Sequence, residues 1–269
     1  MVHMSLPLED TFADIIGKAQ RGLKFADTAL TQRAVEALKS GNYDSSDLDA
    51  AAQALGLGKD RLVKLAQGAY QPAAVAVDGL AQLTTPYEDF TVNAYVVWDP
   101  ATKAAVVFDT GADATPILDL IQKEALQVNL IFITHTHPDH ISDLDTLMAA
   151  TGGVPIFCNA REPHAAAKSF EITDTLEWQT GGLTIQPRST WGHSRGGTTY
   201  LVKGLSRPIA IVGDAIFAGS MGGGIVSFAD ALETNRTQIL TLPDETVIAS
   251  GHGPLTSVGE EKINNPFFN

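Results

Sequence analysis

The sequence predicts a layered α+β domain preceded by a small all-helical region. Three observations carry that expectation. Before residue 72 the apolar residues recur at helical spacing. After it, short β-branched runs come in pairs and mix irregularly with helical segments, unlike a regular parallel βαβ series. Between the two patterns, Gln71-Pro72 is a natural boundary. The expected division is therefore 1–72 for the helical region and 73–269 for the mixed domain.

In the first region Phe12, Ile15, Ile16 and Ala19 lie three to four residues apart, as do Val35 and Leu38. The polar run Gly41 to Asp47 breaks the pattern, and Ser46 or Asp47 is the expected N-cap of a helix through Leu55. Gly56-Leu57-Gly58 reads as a tight turn before a short helix from Lys59 to Gln67. The stretch from Ala51 to Val63 resembles a helix-turn-helix. Residues 1–80 nevertheless hold 8 Lys/Arg against 10 Asp/Glu, a balance of −2, which does not suit a duplex surface. A packed appendage that caps a site or mediates dimerisation is the expected role; a ligand-sensing DNA-binding regulator is the non-enzymatic alternative.

In the second region Phe90 to Trp98 and Ala104 to Phe108 read as paired strands around the turn Asp99 to Lys103. An amphipathic helix is expected over Pro116 to Leu126, a buried strand over Leu130 to Ile133 and a helix from Asp143 to Ala150. The strand Pro155 to Cys158 then leads to a short helix around Pro163 to Lys168. Later strands are expected at Leu183 to Gln186, Thr198 to Val202, Ile209 to Val212 and Val247 to Ala249, with a helix through Phe228 to Leu240.

With 44% hydrophobic residues in 269, the chain can bury a real core. A formal charge of −13 disfavours nucleic acid, and no apolar run reaches the ~18 residues that a membrane span needs. Met1 to Asp10 lacks a basic region followed by an apolar one, so no signal peptide is expected. The lone Cys158 follows a strand and reads as a buried apolar residue, in keeping with a reducing cytoplasm.

The chemistry concentrates in Thr134-His135-Thr136-His137-Pro138-Asp139-His140, directly after the strand ending at Ile133. Alternation along an extended chain puts His135 and His137 on one side, while Pro138 suits the first turn of a helix that carries Asp139 and His140. Packing gains nothing from these groups, whereas two neighbouring divalent cations would use all of them. Three more positions share the form of a strand or loop ending in a ligand among glycines: His193 in Gly192-His193-Ser194, Asp214 after Gly213, and His252 in Gly251-His252-Gly253-Pro254. Five of the 7 histidines fall in these motifs; His3 and His164 are expected to be solvated, the first in a mobile tail and the second at a helix start.

Taken in order, His-x-His-x-Asp-His, Gly-His-Ser, Gly-Asp and Gly-His-Gly resemble the metallo-β-lactamase superfamily, with Asp109-Thr110-Gly111 matching a further structural motif. The resemblance runs from Val75 to Asn269. It implies an αββα sandwich with His135, His137 and His193 on a first metal, Asp139, His140 and His252 on a second, and Asp214 bridging. The phrases from Gly213 to Ser220, Gly251 to Thr256 and Asn265 to Phe268 are most similar to the glyoxalase II-like (hydroxyacylglutathione hydrolase-like) branch. The closing segment resembles its short bacterial members. Ile141-Ser142-Asp143 and Met221 to Gly224 depart from the family where glycine and arginine are usual, so glutathione contacts are not part of the expectation.

The resemblance thus implies a binuclear metal-dependent hydrolase acting on a small molecule, and the lone cysteine and the N-terminal stretch lead to a cytoplasmic expectation. A metal-bridging hydroxide would attack a thioester, ester or lactone carbonyl, and Asp139 would orient it and move protons. Zinc is the expected metal, with iron or manganese as alternatives. Arg195, beside His193, is a candidate contact for an anionic substrate group. A mononuclear iron persulfide dioxygenase is the competing enzyme class.

Overall fold

A computed structural model describes residues 6–22 and 29–269; His3 lies outside them. Four helices come first: α1 Phe12–Gly22, α2 Ala29–Lys39, α3 Ser45–Leu55 and α4 Lys59–Ala66. Asp44, rather than Ser46 or Asp47, caps α3. Its carboxylate accepts from the Ser46 and Asp47 amides while Asp47 reaches back to the Asp44 amide, a reciprocal capping box.

Two six-stranded sheets follow. The first has the order β1 (Leu80–Tyr87), β2 (Phe90–Trp98), β3 (Ala104–Phe108), β4 (Gln127–Phe132), β5 (Ile156–Asn159), β6 (Lys168–Phe170). Its first three strands are antiparallel and the rest parallel, with helical crossovers α5 (Thr115–Glu124), α6 (Pro138–Ile141) and α7 (Leu144–Thr151). The second sheet takes in β7 (Trp178–Thr180), β8 (Leu183–Ser189), β9 (Thr198–Lys203), β10 (Ile209–Gly213), β13 (Val247–Ser250) and β14 (Thr256–Ser257), in the order β14-β13-β10-β9-β8-β7. Between β10 and β13 the chain makes a small hairpin, β11 (Ile216–Phe217) with β12 (Ser220–Met221), then α8 (Phe228–Thr234), which runs into a π-helical turn, Asn235–Ile239. A last helix, α9 (Val258–Asn264), closes the fold.

Side-chain alternation divides the strands between layers. Val106 and Phe108 of β3 point between the sheets, where they meet Phe132, Tyr200, Ile209 and Ile211. Ala105 and Val107 point out under α5 and α7, with Ile117, Ile131 and Leu147. On the far side Leu201, Ala210, Val212 and Ile248 share a core with α8 and with Ile15, Ile16, Val35, Leu38 and Leu62 of the leading helices. The molecule is an αββα sandwich, as the sequence implies. Phe132 anchors its middle, with ring centroids 4.7 Å from Tyr200 and 4.8 Å from Trp178; burying such a ring contributes roughly 2–3 kcal/mol. That packing fixes the end of β4, from which the histidine stretch departs.

The helix expected around Pro163 to Lys168 is a turn that passes into β6. Pairing of Lys168 to Phe170 with β5 and the bond from the Ala160 amide to the Phe170 carbonyl pull this short segment straight, overriding the helical preference of its alanines. His164 therefore sits in a turn, its Nδ1 accepting from the Ala166 amide. The leading strand β1 and the closing helix α9 were not expected. Among the described residues no helix is long and apolar enough to cross a membrane.

Candidate metal centre

All seven residues named from the motifs converge at one edge of the two sheets. His135 and His137 leave the end of β4, Asp139 and His140 occupy the single turn α6, and Pro138 opens that turn. From the facing sheet come His193, in the loop between β8 and β9, Asp214 at the end of β10 and His252 after β13. Their ligand atoms form two groups, each within 4.8 Å: His135, His137, His193 and Asp214; and Asp139, His140 and His252. Arg195 is exposed and makes no hydrogen bond or ion pair with a described residue, so it does not join the cluster.

Each set is tight. His137 Nδ1 lies 3.0 Å from both His135 Nε2 and His193 Nε2. His252 Nε2 lies 3.3 Å from Asp139 Oδ2, and His140 Nε2 3.5 Å from the same oxygen. Asp214 reaches both sets: Oδ1 is 3.3 Å from His140 Nε2, and Oδ2 is 3.4 Å from His193 Nε2 and 3.2 Å from His252 Nε2. Four imidazoles are pinned by their outer nitrogens. His252 Nδ1 donates to the Thr91 carbonyl at 2.6 Å, His193 Nδ1 to the Gly223 carbonyl at 2.9 Å and His140 Nδ1 to Asp109 at 2.8 Å. His135 Nδ1 donates to Thr134 Oγ1 at 3.1 Å, whose own proton goes to Asp109. With Nδ1 engaged in this way, Nε2 is the ring atom left facing inward in each, the arrangement that metal-binding histidines use.

Divalent cations fit these residues. His140 Nε2 and Asp214 Oδ1 are fully buried and make no hydrogen bond, although such an orphan costs about 1–3 kcal/mol. The spacing of the inward atoms matches the ~3.3 Å ligand-to-ligand edge of a cation with bonds near 2.0–2.1 Å. Burial would keep His140 neutral, yet the carboxylates of Asp214 and Asp109 outweigh it and raise its pKa to about 10. Against the same burial, Asp214 and Asp139 raise His252 to about 11. Burial and the neighbouring His140 hold His135 well below the usual histidine range. His252 and His140 overcome burial to hold Asp214 well below the carboxylate range. The centre is built to keep anionic oxygens charged beside concentrated positive charge.

Two further residues of the quoted motifs, neither of them a ligand candidate, support the cluster. Asp109, with φ of 58° at the end of β3, accepts from the Thr134 amide at 2.8 Å as well as from Thr134 Oγ1 and His140. Gly251 leaves the space that the cluster fills: a Cβ there would collide with Asp214 Oδ1 and stand 2.6 Å from His140 Cε1. Gly251→Ala should therefore weaken cation binding about 10- to 100-fold, the range that displaced supporting groups produce. Competition with a chromophoric chelator measures it, and unchanged affinity would show that the cluster has slack.

A family model described as the metallo-beta-lactamase superfamily matches residues 87–252, more than half of the chain, and the protein belongs to that superfamily. Among curated relatives, the probable metallo-hydrolase YqgX of Bacillus subtilis (strain 168) is 31% identical over 208 residues, covering 68% of this chain and 95% of its own. Hydroxyacylglutathione hydrolase GloC of Haemophilus influenzae is 26% identical over 207 residues, covering 68% and 96%. Among solved structures, the BLEG-1 B3 metallo-beta-lactamase superposes with a TM-score of 0.60 at 28% identity, covering 71% of this chain and 99% of that one. ETHE1 from Myxococcus xanthus superposes with a TM-score of 0.58 at 25% identity, covering 70% and 83%.

Proposed function

We propose that the protein is a binuclear metal-dependent hydrolase of thioester or ester substrates, similar in chemistry to the hydroxyacylglutathione hydrolases among its relatives. The observation that carries this reading is Asp214, whose two oxygens lie within 3.2–3.4 Å of imidazoles from both sets. A carboxylate so placed would serve as a ligand shared by two cations, with zinc, which takes imidazole and carboxylate ligands, as the expected metal. His135, His137 and His193 would hold one, Asp139, His140 and His252 the other. Bound there, the pair supplies Lewis acidity and a water acidic enough to serve as nucleophile near neutral pH.

The chain's own residues do the rest. Asp139 is held below the ordinary carboxylate range, because the hydrogen bond from His252 and the charge of His140 outweigh its burial. It stays ionised, able to orient a nucleophilic water and take its proton. Apolar residues stand near the ligand candidates: the Phe90 ring lies edge-on to His252 at 5.4 Å, and exposed Ile225 and Val226 follow the Gly223 carbonyl that holds His193.

The test pairs metal analysis with a panel of thioesters, lactones and persulfides. Two cations per chain and thioester or lactone turnover are expected; one iron with persulfide oxidation would replace this reading by the dioxygenase one. Uptake should release protons, since His140 and His252 carry them below about 10 and 11, so affinity falls as pH falls.

A further inference from the structure

The turn after β5 holds a carboxylate that the chemistry above leaves unused. Glu162 Oε1 accepts from the Thr136 amide at 2.7 Å and from Thr136 Oγ1 at 2.8 Å. Thr136 is the residue between His135 and His137. The other oxygen, Oε2, accepts from the Gly196 amide at 2.7 Å, three residues past His193. One side chain, belonging to neither loop, thus grips both loops that carry the imidazoles of the first set.

The grip is stiff. Glu162 N donates to the Asn159 carbonyl at 3.0 Å, and Asn159 Nδ2 donates to Thr198 Oγ1 at 3.1 Å. The Arg161 guanidinium lies 4.6 Å over the Trp191 ring, two residues before His193. Gly196 leaves no slack, since a Cβ there would strike the Glu162 Cβ. Hydrogen bonds to an ionised acceptor are roughly twice as strong as neutral ones, so using both oxygens sets the distance between the loops firmly. The second set is steadied elsewhere, His140 by Asp109 and His252 by the Thr91 carbonyl.

We infer that Glu162 is a positioning residue that sets the spacing of His135, His137 and His193, and with it the cation affinity of their set, without touching a ligand atom. This rests on the two-cation reading of the centre. A Co²⁺ titration of the metal-free full chain, followed by visible absorption, tests it, with His193→Ala identifying the step that belongs to this set. Glu162→Ala should weaken that step about 10- to 100-fold and alter its absorption bands, leaving the other step unchanged. Glu162→Gln, the same shape with one acceptor oxygen, should give an intermediate weakening of the same step, and carries the test alone if the alanine variant does not fold. Both steps unchanged, or both weakened equally as general loosening would do, overturns the assignment. A wild-type chain that takes up one ion overturns the two-cation reading instead; Glu162 is then judged on that single step, and no change in it overturns the assignment as well.

Discussion

Asp214→Ala should lower kcat/KM by about 10³-fold or more, because it removes the one group among the described residues that reaches both ligand sets, and with it the transition-state charge stabilisation of several kcal/mol that paired cations would supply. Its oxygens lie at 3.3 Å from His140, 3.4 Å from His193 and 3.2 Å from His252, so no single histidine variant disturbs as much. The loss also changes protonation. Asp214 makes the largest contribution raising His140 and His252, so both should titrate at lower pH in the variant. Metal content by mass spectrometry and turnover of a thioester are the measurements. A variant that keeps two cations at wild-type affinity would mean that Asp214 does not bridge.

The second large effect is expected outside the ligand cluster, at Glu261 on α9. This carboxylate is fully buried and has four donors: Tyr70 Oη at 2.7 Å, Thr256 Oγ1 at 2.8 Å, the Gly219 amide at 2.9 Å and Asn265 Nδ2 at 2.9 Å. Burial nevertheless outweighs those donors and raises its pKa above 4.5. A raised folded-state value means that the protonated form is favoured by folding. That contribution is complete below the unfolded value and is lost as pH rises through the folded one. Glu261→Gln mimics the protonated acid, with its amide facing two hydroxyls that can accept. Its melting temperature should match wild type in acid and exceed it increasingly above pH 4.5. Glu261→Ala, stranding four donors, should cost about 3 kcal/mol or more at any pH. A Gln-minus-wild-type difference that is flat with pH would show that Glu261 does not titrate in this way.

Much of the centre was legible in the sequence because its ligands are local. Four of the seven stand within six residues, and Asp214 and His252 each end an apolar strand beside a glycine. Paired β-branched runs pointed to a layered α+β domain, and the resemblance carried by the ligand motifs implied the sandwich. What escaped was built from distant partners or weak patterns. Glu162 meets Thr136 across 26 positions, and an acid in a loop carries no sign of that meeting. Strand β1 lies at the edge of its sheet, mostly half-exposed and with Pro86 inside it, so it lacks the alternation that marks a strand. Helix α9 was readable: Ser257 followed by Glu260 is a capping signature, and the Ser257 hydroxyl does accept from the Glu260 amide. The turn at Pro163 to Ala167 was decided by strand pairing downstream, which local preference does not record.

The parentage of the ligands has a mechanical side. His135, His137, Asp139 and His140 hang from one sheet; His193, Asp214 and His252 hang from the other. Any ion that draws on both is a rivet through the seam of the sandwich, and its binding energy is also clamping energy. Loading and unloading such an ion would tighten and slacken the joint between the two halves, so the ease with which the seam parts is tied to how the chain is supplied with metal.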